Sequence, residues 1–274
     1  MSLIHAIILG IVQGLSEFLP ISSSGHLILV RDVLGWNFGT PEIKKTFDVA
    51  LHLGTFLGIA AYFRSDIVKL LRGFFASISR RSLAADPYSR LAMLILVATI
   101  PAALAGKFGE DYIEQRLGAP LVVCGLLVGF GLLLGLADRL GRRQRDLAAL
   151  RLPDAVVVGL AQALALAPGT SRSGVTMTTG LFLGMERETA ARFSFLISLP
   201  AIAGAALLKG VKLAHTGPPA ELVAPMAVGT LAAAVSGLFA ISWLLRYLQR
   251  HSLLPFVIYR LIVGLGLAAF FLAR

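Results

Sequence analysis

Gln13-Gly14-Leu15-Ser16-Glu17-Phe18-Leu19-Pro20-Ile21-Ser22-Ser23-Ser24-Gly25-His26 and Gln162-Ala163-Leu164-Ala165-Leu166-Ala167-Pro168-Gly169-Thr170-Ser171-Arg172-Ser173-Gly174 are two versions of one stretch. A single offset of 149 superposes Gly10 on Gly159, Gln13 on Gln162, Ser22 on Ser171, Ser24 on Ser173 and Gly25 on Gly174, while the prolines miss by one. Both copies break an oily segment with Pro, Ser and Gly. Irregular backbone at membrane depth is tolerated only where protein buries it or a cavity hydrates it. Regions 1–30 and 155–184 therefore read as re-entrant helix–loop–helix hairpins.

The rest of the chain supplies the membrane context. It has 274 residues, of which 57% are apolar and only 15% charged, with a mean hydropathy of +0.81. Soluble domains carry about 25% charge. Apolar runs at about 48–63, 91–106, 119–137, 193–208, 222–245 and 254–272 are candidate spans. Several are shorter than the roughly 20 residues of an upright span, so their ends must extend into polar flanks.

A net charge of +10 invites a nucleic-acid reading. Aromatics are few and no basic, base-stacking motif is present, so the charge is assigned to cytoplasmic loops. Arg64, Lys69, Arg72, Arg80, Arg81 and Arg90 fall in 64–90, and Arg139, Arg142, Arg143, Arg145 and Arg151 in 138–154. Loop 107–118 instead carries Glu110, Asp111 and Glu114 against Lys107 and Arg116. Placing the first two loops and 246–253 inside leaves both termini and 31–47 outside. The lone Cys124 lies in an apolar run and supplies neither a disulfide nor a thiolate metal site. No cleaved signal peptide is read at the start.

The expected fold is all-α, a single polytopic membrane domain over 1–274. It is an inverted-topology repeat with two re-entrant helix hairpins and about six transmembrane helices. Repeat one is 1–149 and repeat two 150–274, each a hairpin plus three spans. An odd number of crossings inverts the second copy and sets the two broken helices tip to tip. A second echo aligns Phe47 to Gly58 on Phe193 to Gly204 at an offset of 146. Gly125, Gly129, Gly131, Gly135, Gly264 and Gly266 read as close helix–helix seams.

The polar residues of the first tip suggest chemistry. Gln13 and Glu17 share a helix face at spacing i, i+4. Glu17 can act as a base or hold a divalent cation, and Gln13 adds a neutral oxygen suited to Mg2+ or Ca2+. His26 can be nucleophile, acid or base, or it can pair with Glu17 merely to hold the turn. Each of Ser22, Ser23 and Ser24 has helix capping as its plain role.

In the second tip, Gly169, Ser171, Ser173 and Thr176 surround Arg172, whose fork matches phosphate oxygens. Glu17 in the facing copy is the alternative anion for it. Asp48 and His52 share a face that supports the site or anchors the interface. Arg260 can snorkel, pair internally or meet a headgroup. Glu186, Arg187, Glu188 and Arg192 read as a solvated turn.

These motifs resemble the undecaprenyl pyrophosphate phosphatase family, the bacitracin-resistance-type integral membrane phosphatases. Gln13 to Glu17 matches its Glu/Gln-x-x-x-Glu signature, Pro20 to His26 its Pro-x-Ser-Ser-x-Gly-His turn, and Pro168 to Thr176 its Pro-Gly-x-Ser-Arg-Ser-Gly-x-Thr motif. Leu9 to Leu15 and Phe47 to Gly54 also look like the family. Gln13 stands where the family often has Glu, which favours Glu17 as the main metal ligand. Asp48 and His52 replace the family's Glu-x-x-x-Gln face. Type-2 phosphatidic acid phosphatases share Ser-Gly-His, but their later Ser-Arg-x-x-x-x-x-His-x-x-x-Asp motif is absent.

The resemblance implies hydrolysis of undecaprenyl diphosphate in the bacterial inner membrane, through a cleft open to the periplasm. Its catalytic set is Glu17, Ser23, His26 and Arg172, with Ser23, His26 or water attacking. Ser22, Ser24, Gly169, Ser171, Arg172, Ser173 and Thr176 would hold substrate, and Gln13 and Glu17 the cation. The expected partners are the polyprenyl diphosphate lipid and the membrane, with a homodimer allowed and nucleic acid excluded. A transporter or lipid flippase is the rival, since inverted repeats with broken helices also build transporters.

Overall fold

A computed structural model of the chain describes residues 1–36, 39–80, 86–217 and 220–273. Among these the architecture is helical. The helices are α1 (Leu3–Phe18), α2 (Ser23–Leu34), α3 (Pro41–Tyr62), α4 (Arg64–Arg80), α5 (Pro87–Leu117), α6 (Pro120–Leu140), α7 (Leu152–Leu164), α8 (Arg172–Phe182), α9 (Arg187–Thr216), α10 (Ala220–Leu248) and α11 (Leu254–Leu272). Five helical stretches are long and apolar enough to cross a membrane: Pro87–Gly109, Pro120–Leu140, Arg187–Leu207, Ala220–Leu248 and Leu254–Leu272. The bent pair α3–α4 makes a sixth candidate. All six expected apolar runs lie in these elements, and the protein is a polytopic membrane protein.

Both hairpins form where expected, α1–α2 and α7–α8, and the breaks have local causes. Leu19 precedes Pro20, and the proline ring pushes it to an extended conformation, φ −67° and ψ 143°. The following helix then starts on a serine in a conformation unusual for a side-chain-bearing residue. Ser22 has φ 77° and Ser171 φ 74°, and each Oγ accepts from the backbone N–H three residues on, at Gly25 and Gly174. The same cap in the same strained geometry thus recurs at equivalent places, its cost held by the surrounding structure.

The two hairpins pack by exchange. In each, the first helix lies on a long helix of the opposite half, α1 on α10 and α7 on α5. A Cβ on Gly10 would sit 2.5 Å from the Gly229 carbonyl of α10, and one on Gly159 2.6 Å from the Ala98 carbonyl of α5. Equivalent glycines therefore admit equivalent backbones. Since overpacking a tight contact costs about 1–3 kcal/mol, Gly159→Ala should lower the thermal midpoint of the detergent-solubilised protein; an unchanged midpoint would contradict this contact. The α6–α11 contact behaves as expected at Gly131, Gly135 and Gly264, which face the neighbouring helix closely. Gly125, Gly129 and Gly266 have open space instead and form no seam.

Three stretches depart from the loops read in sequence. Residues 107–117 continue α5, the helix running through Gly109 to Leu117 and ending before Gly118 and Pro120. Residues 64–80 of the expected 64–90 loop form helix α4, turned 80° from α3. Its cationic residues hide a helical apolar stripe of exposed Val68, Leu71, Phe75 and Ile78, the pattern of a helix lying at a membrane surface.

Residues 186–192 are not a merely solvated turn. Arg187 Nε and Nη2 donate to buried Asp138 at 2.5 and 3.1 Å, and Arg192 pairs with Asp66 at 2.9 Å. Nearby, Arg145 forks onto Asp154 at 3.0 and 2.5 Å. That hydrogen bonding lifts the Arg145 guanidinium above its ordinary pKa, which keeps the pair ionised. Partly buried charges need such partners.

Candidate active site

Ser23 and Arg172, which the offset of 149 superposes, are each the first residue of a helix that follows a break. In the structure they meet at one carboxylate. Ser23 Oγ donates to Glu17 Oε2 at 2.6 Å, and Arg172 Nη1 stands 3.7 Å from Glu17 Oε1. Glu17 is buried, whereas the Arg172 side chain is 29% accessible and Ser24 is exposed. The N-termini of α2 and α8 thus converge on a partly open polar point inside an oily protein. Helix N-termini favour anions through unpaired N–H groups and the aligned backbone dipoles.

Glu17 is held from its own helix as well. Gln13 Nε2 donates to Glu17 Oε2 at 3.1 Å. A carboxylate only accepts, so this contact fixes the amide orientation and leaves Gln13 Oε1 buried with no hydrogen-bond partner among the described residues. His52 Nε2 lies 3.9 Å from the same carboxylate oxygen, while its Nδ1 faces the Asp48 carbonyl at 2.8 Å. Asp48 in turn takes a two-pronged hydrogen bond from Arg31 of α2. The Asp48–His52 face therefore supports the site and ties α3 to the first hairpin.

His26 faces elsewhere. Its Nδ1 is 2.7 Å from the Ser22 carbonyl and its Nε2 2.7 Å from the Tyr259 hydroxyl of α11. The Glu17–His26 pair considered as a turn-holding device does not form. A carbonyl accepts only, so Nδ1 carries hydrogen. The phenol can then donate to a neutral Nε2 or accept from a protonated one, and it steadies the ring in both states. Tyr259 has no motif around it in the sequence, and only the fold brings it within reach.

The remaining tip residues divide between scaffold and cleft. Ser22 and Ser171 are the caps. Ser173 Oγ donates across the tips to the Leu19 carbonyl at 3.0 Å. Thr176 Oγ1 is buried, 2.7 Å from the Arg172 carbonyl and 2.6 Å from Ser194 Oγ. Gly169 has φ +94° and is pressed against α6, where a Cβ would lie 2.5 Å from the Val123 carbonyl. These residues shape the turn that presents Arg172. Arg172 Nη1 is itself buried with no hydrogen-bond partner among the described residues, its one contact there being the long ion pair with Glu17.

Comparison with known proteins places the chain in a family. The family model described as bacitracin resistance protein BacA matches residues 6–266. A protein of Pelobacter propionicus named undecaprenyl-diphosphatase is 51% identical over 265 residues, covering 96% of this chain and 95% of its own. Proteins of the same name from Geobacter sulfurreducens, 49% identical with 100% of both chains covered, and Hahella chejuensis, 48% identical with 97% of both covered, are also similar. The fold and site are those of a polytopic membrane protein with a two-tipped polar centre. The chain belongs to the BacA family.

Proposed function

We infer that the protein is an undecaprenyl-diphosphatase: it hydrolyses undecaprenyl diphosphate to undecaprenyl phosphate and inorganic phosphate, recycling the lipid carrier of the bacterial cell wall. The observation that carries this reading is the meeting of two helix N-termini, Ser23 and Arg172, at one buried carboxylate. A flippase needs binding groups alone, whereas a hydroxyl hydrogen-bonded to a carboxylate is the pairing of nucleophile and base.

In the proposed reaction the terminal phosphate lies against Arg172 and the N–H groups opening α2 and α8. Ser23 gives its proton to Glu17 as its Oγ bonds to phosphorus, and the bridging P–O bond breaks to release undecaprenyl phosphate. Water then cleaves the phosphoserine, freeing inorganic phosphate and returning the proton to Ser23. Phosphoryl transfer is mainly positioning and charge neutralisation, which these groups supply. His26, oriented by Ser22 and Tyr259, serves proton transfer at the edge of the site. Losing one neutral hydrogen bond costs about 1 kcal/mol, so Tyr259→Phe should lower kcat by roughly 5-fold. A pH series of kcat should place that loss on the limb titrated by His26, and an unchanged profile would separate Tyr259 from the chemistry.

The reading extends to a hard divalent cation, Mg2+ or Ca2+, held by Glu17 and Gln13, although among the described residues no three His, Cys, Asp or Glu side chains gather to bind one. Glu17 offers a carboxylate, and Gln13 Oε1 is a buried oxygen with no hydrogen-bond partner among the described residues. Such ions complete their coordination with water and phosphate oxygens. A bound cation would neutralise charge on the diphosphate. We place the chain in the bacterial inner membrane, with its cleft and both termini on the periplasmic side.

Purified protein in detergent should release phosphate from undecaprenyl diphosphate, with loss on chelation and recovery on adding Mg2+ or Ca2+. Absence of phosphate release, together with lipid movement in vesicles, would favour the flippase. Retained turnover under chelation would remove the cation alone.

A further inference from the structure

Arg260 is a fully buried cation in α11, and among the described residues no carboxylate meets it. Its hydrogen bonds among the described residues go to backbone carbonyls. Nη1 donates to Pro20 at 3.2 Å, and Nη2 to Gly169 at 3.0 Å and Thr170 at 3.1 Å. Nε donates to Leu127 at 2.9 Å and Nη2 also to Leu126 at 3.4 Å, both on α6. Pro20 belongs to the break of the first hairpin, and Gly169 and Thr170 to the break of the second. Their carbonyls have lost helical partners where the chain is interrupted, and an unmet carbonyl in a membrane interior is costly. One planar guanidinium serves both breaks at once.

From this geometry we propose that Arg260 is a positioning residue that pins the two hairpin tips together and sets the separation of Ser23 and Glu17 from Arg172. The inference rests on the hydrolytic reading of the site. Its grounds are the two facing tips: across their interface the described hydrogen bonds are those of Arg260, through α11, and the Ser173–Leu19 bond. Lysine would keep the charge but not the fork that reaches three segments. The pin also has a shaped seat. A Cβ on Gly131 of α6 would lie 3.1 Å from Arg260 Cβ and 3.4 Å from Nε, and one on Gly174 2.9 Å from Nη1.

The test is purified Arg260→Lys beside wild type. A displacement of about 1 Å between reacting groups can cost 10²-fold. The expected result is a kcat, normalised to folded protein, lower by about 10–100-fold, with KM within roughly 3-fold. Peptides covering both breaks should exchange amide hydrogen faster, while those from the α5–α7 contact keep wild-type rates. A normalised kcat within twofold of wild type overturns the proposal, as does tip exchange that does not change.

Where Arg260→Lys fails to fold, Gly131→Ala decides. It crowds the arginine stem without altering any charge, so the same selective loss of kcat and faster tip exchange are expected, and wild-type values overturn the pin. Wild-type protein that releases no phosphate would refute the hydrolase reading, and tip exchange would still report on the pin.

Discussion

Arg172→Ala should lower kcat by about 10³-fold or more, the scale on which arginines act in phosphoryl transfer. That corresponds to about 4 kcal/mol of transition-state stabilisation. Three features set the size of the effect. Arg172 opens α8, so its charge adds to the favourable end of that helix. Its Nη1 is buried without a hydrogen-bond partner among the described residues, so a phosphate oxygen need not displace an existing bond. Its ion pair with Glu17 is loose, at 3.7 Å.

The loose pair also supplies a control. If Arg172 served mainly to hold Glu17, Arg172→Lys would restore activity, since a point charge suffices for a contact of that length. If it forks onto phosphate, lysine should recover only a minor part of kcat. Steady-state phosphate release with folded protein quantified for each variant separates the two. Activity of Arg172→Ala within tenfold of wild type would remove Arg172 from the chemistry.

The legible parts of this site were those written in local sequence. The i, i+4 spacing of Gln13 and Glu17 places them on one helix face, and both structure and spacing agree because a helix fixes that relation. Of the three adjacent serines, Ser22 is a cap, the plain role such hydroxyls have, and Ser171 at the equivalent place of the second tip caps as well, although its neighbours suggested substrate contact. Fold class followed from hydropathy and from two breaks that repeat each other.

What escaped the sequence depends on distant pairing. Tyr259 lies 233 residues from His26, and nothing in a span of Val, Ile and Leu marks one tyrosine as a partner. Arg260 could be weighed as snorkelling, paired or headgroup-bound, but its carbonyls come from breaks that only packing unites. Arg187 looked solvated because its acid, Asp138, is 49 residues away. Helix α4 escaped for another reason, since its cations read as loop charge although its apolar residues keep helical spacing.

Glu17→Gln should lower kcat by about 10³-fold, within the 10²–10⁴ range of general-base catalysis. The substitution is nearly isosteric. Gln can still accept from Ser23 Oγ and fill the same space beside Gln13, so packing changes little while the proton acceptor is lost. Glu17→Asp tests geometry instead of chemistry: it keeps the charge but withdraws the carboxylate from a hydrogen bond of 2.6 Å. Its loss of kcat should be smaller than that of Gln if proton removal dominates, and equal or greater if reach dominates. Rapid quenching with terminally labelled diphosphate adds a direct readout. Wild-type protein should retain phosphate on Ser23, and Ser23→Ala should retain none, because its methyl cannot form the ester. Label found on His26 would transfer the nucleophile to the imidazole beside Tyr259. Labelling of Ser23 that persists at full rate in Glu17→Gln would show that the carboxylate does not take the serine proton, and would leave cation binding as its remaining work.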